Sequence, residues 1–274
     1  MIPTRRLLGL DFATLDLAGA VDWALAWQDG ARQDGARFGY VVTPNADHLV
    51  RLARVPGLGA AYAGAELRLL DSRVVAGAAR LLGLAPPPVV PGSDLTAALL
   101  GRLAPEDRVC LIGLPATWLP ALRRRTGFVP AAHCDPPHGF ARDPDAFASV
   151  LHFVEAHPAR FILLAVGSPA QERLAAALAA RGRAVGLGLC VGAAVDFLAG
   201  RARRAPPWMQ HASLEWLHRL AGDPRRLGAR YLRDDPAVFA LLARERWARV
   251  LRLRSFRVSA TGRPLETKNS SPDA

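Results

Sequence analysis

A chain of 274 residues, 51% hydrophobic and 22% charged, has the make-up of a folded globular protein, enough for one large domain or two small ones, and not of a disordered one. Its three cysteines, Cys110, Cys134 and Cys190, are odd in number and scattered, which does not fit a disulfide framework and points to a reducing cytoplasm. The net charge of +11 is concentrated in one place: residues 201–257 carry 14 arginines against 5 acids, so the first 200 residues are nearly neutral.

In chain order, the opening MIPTRRLLGLDF has an apolar run too short for a signal peptide. A helical pattern over 13–29 leads to a strand at 37–42 (RFGYVV), a helix over 46–64, a strand at 67–70 (LRLL) and a helix over 73–83. The run LAPPPVVPG at 84–92 is a stiff connection, and Asp94 is placed to cap a helix over 94–103. A strand at 108–112 (RVCLI), helices over 116–125 and 144–156, a strand at 161–166 (FILLAV), a helix over 170–181 and a strand at 185–191 (VGLGLCV) complete the alternation. No run reaches the length of a membrane-spanning helix. Near-continuous apolar strands alternating with helices predict an α/β fold, a mainly parallel Rossmann-like sheet flanked by helices over residues 1–200. Residues 201–254 read as a basic helical appendage, and the polar tail 255–274 as disordered.

Ligands of parallel α/β sheets gather beyond the carboxyl ends of the strands. Thr43-Pro44-Asn45, Asp71-Ser72, Gly113, the turn Gly167-Ser168-Pro169-Ala170-Gln171-Glu172, and Gly192 with Asp196 one helical turn later all fall at such ends. The GSPAQE turn suits an anion, because glycine permits close approach and the free N–H groups of a helix start attract negative charge. Asp71 ends an apolar strand, where desolvation would make it a better base; the competing reading is a cap for the helix after Ser72. Gly186, Gly188 and Gly192 miss the dinucleotide fingerprint by one residue, which argues against an NAD site. His133, Cys134 and His138 match no zinc spacing, and Asp143-Pro144-Asp145 has the letters of a D-x-D metal motif but precedes a helix, so no metal is expected.

These blocks resemble the WecG/TagA/CpsF family of bacterial glycosyltransferases, glycosyltransferase family 26. The similarity runs from about residue 7 to about 235: TPNADHL at 43–49, LLDSRVVAGAARLLG at 69–83, PGSDL at 91–95, VGSPAQE at 166–172 and VGAAVDFLAGRARRAPPWMQHASLEWLHRL at 191–220. It implies inverting transfer of a sugar (N-acetylmannosamine, its uronic acid or a hexose) from a UDP-sugar to a polyprenyl-diphosphate-linked sugar at the inner membrane face, in cell-surface polysaccharide or exopolysaccharide assembly, without a cofactor. The family's base falls on Asp71, its TPN threonine and asparagine on Thr43 and Asn45, and its glutamine on Gln171, with Glu172 beside it facing the donor. Gly167, Ser168, Gly192 and Asp196 join the donor side. Two departures stand out: Asp71 is followed by Ser72, Arg73 and Val74 where the family has Asp-Gly with a second glycine two residues on, and Val89 replaces an arginine associated with the donor diphosphate, a task Arg73 could assume.

The family's C-terminal segment docks on the membrane. In RAPPWMQHASLEWLHRLAGDPRRLGARYL, Trp208 and Trp216 suit the headgroup level, and Arg204, Arg219, Arg225, Arg226 and Arg230 suit anionic lipid or the acceptor's diphosphate. Trp216, between apolar neighbours, serves equally well as a core residue. A nucleic-acid-binding module is the rival from another class, but no nucleic-acid fold motif accompanies the arginines. A catalytically weakened scaffold is a second rival, and a homo-oligomer is left open.

Overall fold

The structure, a computed structural model, describes residues 2–33, 37–55, 57–212, 214–222, 228 and 236–260. Six parallel strands lie in the order β4-β3-β8-β7-β5-β6: β3 (Phe38–Val42), β4 (Leu67–Arg68), β5 (Val109–Ile112), β6 (Ala132–Cys134), β7 (Phe161–Leu164) and β8 (Gly186–Cys190). The central runs are apolar at every position because both faces are covered. Val41, Leu111, Leu163 and Leu189 meet α1 (Leu17–Gln33), α5 (Gly92–Leu100), α6 (Leu119–Thr126) and α9 (Ala194–Ala199). Their neighbours Val42, Ile112, Leu164 and Cys190 meet α3 (Leu58–Ala63), α7 (Pro144–Ala156) and α8 (Ala170–Arg181) on the opposite face. The chain therefore leaves β7 toward one face and β8 toward the other, and it is at such a divergence, beyond the carboxyl ends of the strands, that parallel sheets bind their ligands.

Outside this sheet, β1 (Thr4–Leu7) and β2 (Leu10–Ala13) pair antiparallel, a hairpin that the sequence pattern does not predict. The expected helix over 46–64 is two, α2 (Ala46–Arg54) and α3, parted where Val55 and Gly57 leave the helical path. Past the sheet come α10 (Pro207–His211), α11 (Glu215–Gly222) and α12 (Ala237–Ala260), the last reaching beyond the helical end expected at 254 into the tail expected to be disordered. Val238 and Leu242 of α12 fill a third apolar cluster with Leu7 and Phe12 of the hairpin, Leu49 and Val50 of α2, and Val75, Ala76 and Ala79 of α4 (Arg73–Leu81). Glu245 Oε2 accepts the Leu8 amide at 2.6 Å and Arg249 donates to the Arg6 carbonyl at 2.7 Å, so α12 also grips the hairpin turn. A cleft of about 690 Å³ lies at this junction, lined by Arg5, Arg6, Leu8, Ala85, Glu245 and Arg249 and by none of the predicted site residues.

The glycines of the VGLGLCV strand answer to packing. Gly186 has φ 118°, and a Cβ there would lie 2.2 Å from the Ala159 carbonyl oxygen. Gly186→Ala is expected to cost about 2–4 kcal/mol from combined strain and overpacking, read as a lowered thermal midpoint.

Candidate active site

Helix α4 begins at Arg73 with Ser72 as its cap, whose hydroxyl oxygen accepts the Val75 N–H at 3.2 Å. That duty is therefore not carried by Asp71. Its carboxylate, half-buried, instead accepts the Gly92 N–H at 3.1 Å, and its own amide donates to the Pro44 carbonyl at 3.0 Å. Gly92 is tightly placed, since a Cβ on it would sit 2.8 Å from the Thr43 hydroxyl. Thr43, buried, donates that hydroxyl to the Cys190 carbonyl at 3.2 Å, across the β3–β8 seam. Asn45 caps α2 by accepting the His48 N–H at 3.3 Å. Helix α5 starts at Gly92 after Pro91, so Asp94 lies inside its first turn rather than at its cap.

At the carboxyl end of β7, Gly167, Ser168 and Pro169 lead into α8, with the Ser168–Pro169 peptide cis. Gln171 and Glu172 turn inward, 2% and 0% exposed. Gln171 Oε1 accepts the Gly192 N–H at 2.9 Å and its Nε2 donates to Glu172 Oε1 at 2.9 Å, tying the loop after β7 to the loop after β8. Asp196, on α9, pairs with Arg201 at 2.9 Å. Asp71, Gly92, Thr43 and Cys190 are thus linked in turn, and Gly192, two residues after Cys190, is bonded to Gln171, along the carboxyl ends of four neighbouring strands. Burial and the Glu172 charge push the Cys190 thiol well up, so it stays protonated and is no nucleophile.

Sequence reasoning missed the Arg204–Asp94 pair, whose partners are 110 residues apart. Burial works against the Arg204 charge, but the hydrogen bond and charge of Asp94, with Glu215 and Asp71 behind them, more than offset it and raise its pKa. Among the described residues, the buried Arg204 Nε has no hydrogen-bond partner. Arg204 is thus a guanidinium within electrostatic reach of Asp71, whereas Arg73 is exposed at the first residue of α4. Trp208 is 63% exposed and Trp216 half-buried. Arg225, Arg226 and Arg230 lie outside the described residues, as does the side chain of Arg219.

The metal-like letters have local explanations. Asp143 caps α7 by accepting the N–H groups of Asp145 and Ala146 at 3.0 and 3.2 Å. His133 Nε2 lies 2.8 Å from the Leu114 carbonyl.

A six-stranded parallel sheet with helices on both faces and polar groups at its carboxyl edge defines an α/β protein of Rossmann-like architecture. The sequence model of the Glycosyl transferase WecG/TagA/CpsF family matches residues 5–252, and the chain belongs to that family. The match takes in the sheet, the Arg204 segment and most of α12.

Proposed function

We propose that this glycosyltransferase moves a sugar from a UDP-sugar, with inversion, onto a polyprenyl-diphosphate-linked sugar at the cytoplasmic face of the cell membrane, in the assembly of a cell-surface polysaccharide. N-acetylmannosamine, its uronic acid and a hexose are the candidate sugars. What carries this reading is Asp71, a half-buried carboxylate at a strand end, joined through Gly92 and Thr43 to the loop that holds Gln171. Inversion needs a single base opposite the leaving group. Asp71 takes the proton of the acceptor hydroxyl, the acceptor oxygen bonds to the anomeric carbon, and the bond from that carbon to the diphosphate oxygen breaks, releasing UDP. The leaving diphosphate requires backbone amides, hydroxyls or arginine to receive its charge without a cofactor. Arg204 suits this better than Arg73, because it lies within electrostatic reach of Asp71 and is held by Asp94.

Membrane association is part of the same proposal. Among the described residues no helix is long and apolar enough to cross a bilayer, while the exposed Trp208 precedes a run of arginines suited to anionic headgroups. The test is a panel of UDP-sugars incubated with a synthetic polyprenyl-diphosphate sugar, the product being followed by mass and anomeric configuration. One donor is expected to be transferred with inverted configuration. Retained configuration, or no transfer from any UDP-sugar, would overturn the reading.

A further inference from the structure

Glu172 is fully enclosed, and an enclosed carboxylate is tolerated only with partners. Its Oε1 receives the Gln171 amide at 2.9 Å and lies 3.8 Å from His48 Nδ1, while Oε2 has no hydrogen-bond partner among the described residues. The negative charge favours a proton on the facing His48 nitrogen. That nitrogen is also 3.2 Å from the Tyr62 hydroxyl, so Tyr62 then accepts from His48 and directs its own proton elsewhere. The Ser168 Oγ, 3.5 Å away, is in reach. Burial and the Glu172 charge both push the Tyr62 phenol up, so it keeps that proton to donate.

Ser168 Oγ also receives Arg51 Nη1 at 3.1 Å, and Arg51 is held in turn by Asp47. Two donors fill the acceptor side of this hydroxyl and leave its proton free to point away from the network, at the loop after β7. The Cys190 thiol, which also feels the Glu172 charge, stays neutral. Besides tying the loops, the polar chain gives one hydroxyl proton a direction.

We infer that Glu172, His48 and Tyr62 are positioning residues that set the Ser168 hydroxyl as a hydrogen-bond donor to an anionic ligand, and, given the donor reading above, that this ligand is the nucleotide diphosphate. The same carboxylate fixes the Gln171 amide on Gly192, so one buried charge orders both loops.

The full chain is titrated with UDP and with inorganic pyrophosphate by calorimetry, alongside thermal unfolding, as wild type, Ser168→Ala, Tyr62→Phe and the double variant. Ser168→Ala is expected to weaken both ligands about tenfold. Tyr62→Phe should weaken them severalfold with little change in thermal midpoint, and should have no further effect once Ser168 is alanine. Glu172→Gln, which keeps an acceptor for Gln171 but removes the charge, is expected to behave like Tyr62→Phe. Additive losses, unchanged affinity in Tyr62→Phe, or no binding of either ligand would overturn the inference. Non-additive losses with UDP held no more tightly than pyrophosphate would support it and count against the nucleotide reading alone.

Discussion

Asp71→Asn is expected to lower sugar transfer by about 10²–10⁴-fold, the usual contribution of a general base, with UDP affinity and thermal midpoint near wild type. The separation of effects follows from the contacts. The Asp71 carboxylate accepts the Gly92 N–H at 3.1 Å, and an asparagine can turn its amide oxygen to the same donor. The backbone bond to Pro44 does not depend on the side chain, and the α4 cap belongs to Ser72. The capacity to take a proton is lost, together with the carboxylate charge that acts on Arg204. Single-turnover transfer with saturating donor and acceptor gives the rate, and slow hydrolysis of the donor should vanish with it. A variant retaining more than about a tenth of wild-type turnover would remove Asp71 from the base role. A wild type without detectable transfer or hydrolysis would favour the scaffold reading raised by Ser72 and Val89.

The sheet was legible because burial on both faces removes polar positions from its strands, so FGYVV, VCLI, FILL and GLGLC stand out as unbroken apolar runs. The hairpin was not, since TRRL carries two arginines and is exposed at three of four positions. Strand β6 is three half-buried residues, too short to show a period. The break between α2 and α3 did leave a signal in Pro56-Gly57, a dipeptide that ends helices.

Local motifs of the site were legible for the same reason that strand ends are: Thr43, Asp71, Ser168 and Gln171 each sit where an apolar run stops. Their partners were not. His48 lies within TPNADHL yet reads as an ordinary helical residue, and nothing marks Tyr62, 106 residues from Ser168, as the group between them. On composition Arg204 belongs with the other arginines of its segment, and only folding brings it to Asp94. Long-range polar pairs have no periodicity, so they emerge only when the fold closes.

The largest stability effect is expected at Leu242→Asp, a loss of at least about 4 kcal/mol from burying an unpaired carboxylate. Leu242 is 0% exposed and Val238 1%, and both fill the cluster made by α2, α4 and the N-terminal hairpin. Helix α2 begins at the Asn45 cap and α4 directly follows Asp71-Ser72, so α12 supports from behind the two helices that carry the TPN and Asp71 blocks. Thermal unfolding should show a lowered midpoint, and transfer should fall with it although no predicted site residue has changed. Truncation after Gly200 strips the same cluster of Val238 and Leu242, so loss of vesicle binding in such a fragment would report unfolding as readily as a missing anchor. Trp208→Ala makes the distinction, because the ring is 63% exposed and its removal leaves the core intact. Retention on vesicles containing anionic lipid should drop while the midpoint holds. A Leu242→Asp protein with wild-type midpoint and turnover would show instead that α12 contributes nothing to the catalytic body.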